Sequence, residues 1–359
     1  LTNLEEYLPK RLTAACSGIE ALGADAVLIS KPENVVYLSG IKSTNCFLIL
    51  TPEESYILTD FRYIEAAENN QAGLYPVMLD RGKNLFDVIK SMKIRTLAVE
   101  EEDITYHFFK ELSSKFKGKI CSASHLVEDL RIIKDDYEKE CLRRAEEIGD
   151  IAFSHICSIL KEGMTEKEVA LELEYCMRKN GAEGLSFDTI AVSGVRSSMP
   201  HGGPTDKKIE YGDFLTMDYG CMYRGYCSDM TRTVAIGEAT KEMRRIYDIV
   251  RKAQQKALEA VSPGKTASDI DRIARNIIKY EGYGNHFGHG TGHGVGLEIH
   301  EAPTVNTTGK TLLKPGMAVT VEPGIYLPGE FGVRIEDLAL VTETGYEVLS
   351  HSDKDLIII

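Results

Sequence analysis

A duplication inside the chain constrains its fold more than any other feature. The run ILKEGMTEKEVALELEYCMRKNG (159–181) aligns with AVSPGKTASDIDRIARNIIKYEG (260–282), matching Gly163 to Gly264, Thr165 to Thr266, Val169 to Ile270 and Gly181 to Gly282. Each copy reads as a helix, a glycine turn, a threonine N-cap and a second helix. A Gly-rich segment and a strand hairpin follow each copy. Two related halves facing one another leave a cleft between them, a common place for a site.

The two hairpins carry acidic residues. In DFLTMDYGCMYRGYCSDMTRTVAIG (213–237), a turn centred on Tyr223 and Arg224 sets Asp218 opposite Asp229. In TVEPGIYLPGEFGVRIEDLALV (320–341), a turn centred on Gly329 sets Glu322 opposite Glu336. Directly opposed residues in an antiparallel pair have Cβ atoms roughly 5 Å apart, and like charges at that distance repel. Something cationic belongs between them.

The stretch GHGTGHGVGLEIHE (288–301) places His289, His293 and His300 among glycines that let backbone or ligand approach closely. His293 joins the two acidic pairs as a fifth candidate ligand. Four carboxylates match two divalent ions in charge, whereas a single ion leaves an excess that favours proton uptake. Oxygen-rich donors with one imidazole suit manganese, cobalt or iron as well as zinc. Two such ions about 3.5–4 Å apart form a hydrolytic arrangement. Any one of these aspartates alone reads as a turn or cap residue; the joint occurrence in duplicated halves is what points to metal. His289 is read as lining the cleft or backing a ligand, because the glycines around it disfavour a helix face shared with His293.

At 359 residues the chain is long for one core, so two domains are expected. Its net charge of -13 argues against a nucleic-acid partner, because that affinity comes largely from lysine and arginine on phosphates. No window approaches the roughly 18–20 apolar residues that span a bilayer. LTNLEEYLPK lacks a basic-then-apolar signal pattern, so a cytoplasmic protein is expected. The eight cysteines show no CxxC spacing and suggest neither a zinc knuckle nor a disulfide framework.

Ahead of the duplication, the pattern predicts a helix over 7–22 and strands over 26–29, 35–38, 46–50, 55–58, 75–79 and 96–99. Helices over 62–70 and 85–92 complete a small mixed α/β domain with no ligand cluster. A polar run, HLVEDLRIIKDD (125–136), precedes a long helix over 137–161. The expected domains are therefore 1–127 and 128–359.

The ordered motifs PHGGPT (200–205), TMDYG (216–220), SDMTRT (228–233), GTGHGVGLEIHE (290–301), VEPGIY (321–326) and GVRIED (332–337) resemble the pita-bread metallopeptidases, specifically the aminopeptidase P and prolidase branch. The resemblance covers the chain from about residue 128 onward; NVVYLSG and TDFRY in the N-terminal part are similar to the same branch. It implies an α+β fold, a pita-bread catalytic domain with a pseudo-twofold repeat, preceded by a smaller mixed α/β domain of creatinase type. It also implies two divalent ions per subunit, manganese or cobalt first and zinc or iron as alternatives, held by Asp218, Asp229, His293, Glu322 and Glu336. Asp229 and Glu336 match the carboxylates that bridge both ions, and Glu322 matches the proton acceptor. His201 and His300 correspond to histidines that contact the substrate carbonyl or the tetrahedral intermediate. Arg334 matches an arginine that supports the site or the proline side of the substrate.

The activity implied is hydrolysis of the bond between an N-terminal residue and a following proline, by an Xaa-Pro aminopeptidase or dipeptidase. Peptides with proline at the second position are the expected partners, and a homodimer is the expected assembly. Intact ligand positions argue against the metal-free relatives of creatinase type, and the N-terminal domain argues against methionine aminopeptidase. One departure is Val36 in NVVYLSG, where relatives often carry arginine. The alternative is a non-catalytic binding module on the same fold, which the intact ligand set and the acidic charge disfavour.

Overall fold

The computed structural model describes residues 3–70, 72–123 and 125–359. The chain divides between Arg131 and Ile132 into two compact units. Among the described residues no helix is long and apolar enough to cross a membrane.

The first unit opens with α1 (Leu8–Gly18), whose Leu8, Leu12 and Ala15 form one buried face. A 3-10 turn, Glu20–Leu22, follows it to Gly23. Six strands then build one sheet: β1 (Ala26–Ile29), β2 (Cys46–Leu50), β3 (Ser55–Thr59), β4 (Tyr75–Met78), β5 (Thr96–Val99) and β6 (Lys119–Ser122), in the order β4-β3-β2-β1-β5-β6. Between β1 and β2 lies α2 (Pro32–Ser39), which corrects the strand expected over 35–38. Proline at the first helical turn presets φ, and Gly40, left-handed at φ 71, ends the helix. A four-residue apolar run does not distinguish strand from helix by periodicity alone.

The pairs β3–β4, β1–β5 and β5–β6 are parallel and need crossovers. α3 (Ile64–Glu68), α4 (Leu85–Ser91) and α5 (Tyr106–Lys115) lie in the connections between β3 and β6. α3 is shorter than the helix expected over 62–70, while α5 and β6 went unread in the sequence. A four-residue helix, α6 (Glu128–Arg131), closes the unit.

In the second unit the duplication is explicit. α7 (Asp136–Ile159) and α8 (Glu166–Lys179) in the first half correspond to α9 (Lys241–Ala260) and α10 (Ala267–Tyr280) in the second. Thr165 and Thr266 each N-cap the second helix of their pair, in capping boxes closed by Glu168 and Asp269. Gly163 and Gly264 hold φ of 88° and 82° in the preceding turns, where a side chain would be strained.

The first half carries β7 (Gly184–Leu185), β8 (Ile190–Ser193), β9 (Phe214–Tyr219), β10 (Cys221–Tyr223), β11 (Tyr226–Cys227) and β12 (Met230–Ala235). They form two small sheets, β12-β9-β8 and β11-β10-β7. The second half carries β13 (Gly292–Gly294), β14 (Glu301–Val305), β15 (Ala318–Val321), β16 (Gly324–Leu327), β17 (Phe331–Arg334), β18 (Asp337–Val341) and β19 (Tyr346–Val348). There the sheet order is β14-β13-β15-β18-β19, with β16 and β17 as a separate pair.

Each helix pair covers its own strands. Ile148, Ala152, Val169, Leu173, Leu215 and Met217 are fully buried in one core, and Ile246, Val250, Ile270, Ala274, Val319 and Val321 in the other. Burial of one such Leu, Ile or Val side chain contributes about 1.5–3 kcal/mol relative to exposure. Both cores hold the helices against one face of the strands.

Candidate active site

Side chains alternate along a strand, so the cores determine what the other face presents. On β9, Leu215, Met217 and Tyr219 enter the core, which turns Thr216 and Asp218 the other way. On β15, Val319 and Val321 are core residues, which leaves Thr320 and then Glu322 on the opposite face. Val333 and Ile335 do the same for Arg334 and Glu336. The carboxylates are therefore brought together by the same alternation that builds the cores.

The register of the first hairpin differs from the one expected. Tyr223 pairs with Tyr226 around a two-residue turn of Arg224 and Gly225, at φ 50° and 83°, a turn with both central residues left-handed that matches the twist of the flanking strands. Asp218 thus faces Thr231, not Asp229. Moving the turn centre by one residue moves the pairing by two, and a shift of two keeps every side chain on its face. Asp229 still reaches the site from the break between β11 and β12, where its N–H donates to Glu146 Oε1 at 2.8 Å.

In the second hairpin Val321 pairs with Asp337 and Gly324 with Arg334, the register that sets Glu322 across from Glu336. The strands part at the two glutamates. Glu322 N–H donates to Thr291 O at 2.8 Å and Glu336 N–H to Thr231 O at 3.1 Å, so each half contributes backbone to the same site.

His293 sits on β13, which passes so close to its neighbours that a Cβ on Gly292 would lie 2.0 Å from Thr320 O and one on Gly294 2.2 Å from Ala302 O. Only glycine fits there. The His293 Nδ1–H donates to Gly294 O at 3.0 Å, which leaves the Nε2 lone pair 3.4 Å from Asp229 Oδ2 and 3.6 Å from Glu322 Oε1. That tautomer is the one a metal requires.

The electrostatics of the site fit a cation. Burial raises the carboxyls of Asp229 and Glu336 well above the ordinary range, and the neighbouring carboxylates add to the effect. Burial pushes Glu322 up to about 8, with Arg334 opposing and Asp218 reinforcing the shift. It also pushes the His293 imidazole down to about 4. Asp218 Oδ1 is buried without a hydrogen-bond partner among the described residues, a cost normally avoided. Asp229, His293 and Glu336 offer ligand atoms all within 4.8 Å of one another. Oxygen donors, one imidazole and an orphaned carboxylate oxygen suit hard or borderline divalent ions.

These residues line a cavity of about 640 Å³ that also takes in His201, His300, Phe187, Thr189, Pro204 and Ile299. His300 packs edge-on to His293 with ring centroids 4.3 Å apart. Arg334 is buried behind the carboxylates: Nη2 donates to Asp218 Oδ2 at 2.6 Å, Nη1 to Tyr326 Oη at 2.8 Å and Nε to Thr231 Oγ1 at 3.2 Å. One arm of its fork is committed to Asp218 and the other to Tyr326. His289 stands one layer further back, its Nδ1–H donating to Gly290 O at 2.7 Å and its Nε2 accepting from Tyr326 Oη at 2.8 Å. Burial pushes its pKa down to about 4, in keeping with that neutral tautomer.

Three supporting residues escaped the sequence reading. Tyr326 links His289 to Arg334, and Thr231 Oγ1 donates to Glu336 Oε2 at 2.6 Å. Glu146 is fully buried on α7, and burial raises its carboxyl to about 8. A glutamate inside the apolar stripe of α7, between Ala145 and Gly149, was the available signal for it.

Residues 140–343 match metallopeptidase family M24, and residues 11–133 match the creatinase/prolidase N-terminal domain. The chain belongs to metallopeptidase family M24. Within M24 it is similar to the Xaa-Pro dipeptidase of Pyrococcus horikoshii, 41% identical over 93% of this chain and 94% of that protein. Among solved structures it is similar to an Xaa-Pro dipeptidase from Bacillus anthracis, with TM-score 0.94 and 42% identity over 99% of this chain and 100% of that one. An X-Pro aminopeptidase from Thermotoga maritima matches with TM-score 0.88 and 38% identity over 95% of this chain and 99% of that one. The M24 fold, a creatinase-type N-terminal domain followed by a pita-bread catalytic domain, is the one expected from the sequence motifs, and the family implies divalent metal ions.

Proposed function

We propose that this chain hydrolyses the peptide bond between an N-terminal residue and a following proline, as a metal-dependent exopeptidase. The observation that carries the reading is the convergence of Asp229, His293 and Glu336 on one focus in a chain similar over nearly its whole length to Xaa-Pro dipeptidases. Asp218, Asp229, His293, Glu322 and Glu336 would hold two divalent ions, manganese or cobalt in preference to zinc or iron. When bound, such ions polarise the carbonyl under attack and lower the pKa of water.

The chain's own groups do the rest. Glu322, bordering His293 and the cavity, accepts the proton lost by the attacking water. His201 and His300 line the same cavity and donate toward the oxygen on which negative charge develops. Arg334 fixes the Asp218 carboxylate so that one oxygen remains for metal. The Xaa-Pro nitrogen carries no N–H and its φ is fixed, so a site that accepts it cannot rely on that donor.

Two of the similar proteins are named Xaa-Pro dipeptidases, and this favours dipeptides over longer chains. A homodimer working in the cytoplasm is part of the same proposal. The test is hydrolysis of Ala-Pro and Ala-Pro-Ala with manganese, cobalt and zinc in turn. Metal-dependent release of alanine from Ala-Pro, faster than from Ala-Pro-Ala, is expected; failure to cleave either with any of the three contradicts the proposal.

A further inference from the structure

Glu166 is the first residue of α8 and is 0% exposed. The capping of that helix is already done by Thr165 and Glu168, and the matching position in the second copy is Ala267, so the helix start does not explain a buried carboxylate here. Its oxygens instead gather both ends of the loop that follows β8. Oε1 accepts from Ser193 N–H at 2.8 Å and Ser193 Oγ at 3.1 Å; Oε2 accepts from Thr205 N–H at 3.0 Å and Thr205 Oγ1 at 2.7 Å. Arg196 Nε reaches both oxygens, at 3.2 and 3.0 Å, while its Nη2 donates to Gly203 O at 2.7 Å.

Between these ties lies His201, exposed to solvent and facing the cavity. The side chains of Val195 and Met199 anchor it little, being 54% and 51% exposed, while backbone bonds from Met199 N–H to Arg196 O at 2.9 Å and from Gly202 N–H to Met199 O at 3.1 Å shape the turn. One further tie joins the loop to β17, where Ser197 Oγ accepts from Gly332 N–H at 2.9 Å. The position of the histidine is therefore set by its backbone, which Glu166 closes into a ring by tying Ser193 to Thr205, and which Arg196 braces from inside by joining Glu166 to Gly203 O. We propose that Glu166 and Arg196 are positioning residues that hold His201 over the cavity, an inference that rests on the role assigned above to His201. Misplacement of a reacting or stabilising group by about 1 Å is enough to cost as much as about a hundredfold in rate.

The experiment compares R196A, R196K, E166Q, H201A and the double variant R196A/H201A on Ala-Pro with saturating manganese, with bound metal measured in each. R196A is expected to lower kcat about tenfold or more with KM and metal content little changed, because loop placement and not metal binding is lost. R196K, which keeps the charge and loses the fork, and E166Q, which keeps the shape, should fall between R196A and wild type. In the H201A background R196A should cost less than about twofold, since coupled residues are non-additive. A full R196A penalty retained without His201, or an R196A enzyme with wild-type kcat, would overturn the proposal. Should H201A alone keep wild-type kcat, the role of His201 fails separately; proteolytic nicking within 194–205 then decides the clamp, with faster nicking in R196A supporting it and unchanged nicking overturning it.

Discussion

Asp218 shows how much each residue of this site depends on the others. One of its oxygens is held by Arg334 at 2.6 Å and the other has no hydrogen-bond partner among the described residues. A cation at that oxygen would remove the cost of leaving it unsatisfied. Asp229→Ala or Glu336→Ala is expected to lower kcat by about a thousandfold or more while leaving the fold intact, the loss appropriate to removing several kcal/mol of metal assistance. Tyr326→Phe, which cuts the link between His289 and Arg334, should cost about 10- to 100-fold in activity or metal affinity, the usual range for groups that orient ligands. Equal activity of Tyr326→Phe and wild type across a metal titration would remove that link from the account.

The raised carboxyls also give a pH dependence with a definite sign. Glu322 and Glu146 are each pushed to about 8, so with metal absent the folded chain holds protons that the unfolded chain releases as pH rises above about 4.5. Stability of the metal-free protein therefore falls across that interval. His289 and His293, pushed down to about 4, act in the opposite direction but only below their unfolded value of about 6.5. From pH 6.5 to 8 the carboxylates act alone, and the melting temperature of chelator-treated protein is expected to fall while the gap to metal-loaded protein widens. A gap that stays constant over that range would contradict the charge assignment.

At the scale of elements, the duplication and the second hairpin were legible because their signals are local. Threonine caps and left-handed glycines recur at matched positions in both halves, and the turn at Gly329 sets a register that the flanking pairs keep. Thr165→Ala and Thr266→Ala should each cost about 0.5–2 kcal/mol, by similar amounts, in denaturant unfolding. A large effect of one and none of the other would argue against equivalent halves. The register of the first hairpin was not legible, because an arginine gives no sign that it will take a left-handed turn position; Arg224 does so beside Gly225. The facing pair of aspartates was thus wrong in register, although Asp229 still lies with His293 and Glu336. The apolar residues of α2 are too few to show a period, and the partners that give Glu146 and Glu166 their roles lie far away in sequence.

For the whole molecule, two duplicated arms supply repelling acid groups to one cavity, and the cores behind them leave those groups nowhere else to point. The formal net charge of -13 counts the four site carboxylates as ionised, and metal uptake is expected to displace the protons that burial holds on Asp229, Glu322 and Glu336. Metal titration of the chelated protein, followed by Ala-Pro hydrolysis at each step, tests the central claim most directly. Activity should be absent without divalent ion and should reach its maximum at about two equivalents per chain. Cleavage of Ala-Pro that proceeds at full rate in the chelated protein, or that saturates with no stoichiometric uptake, would contradict it.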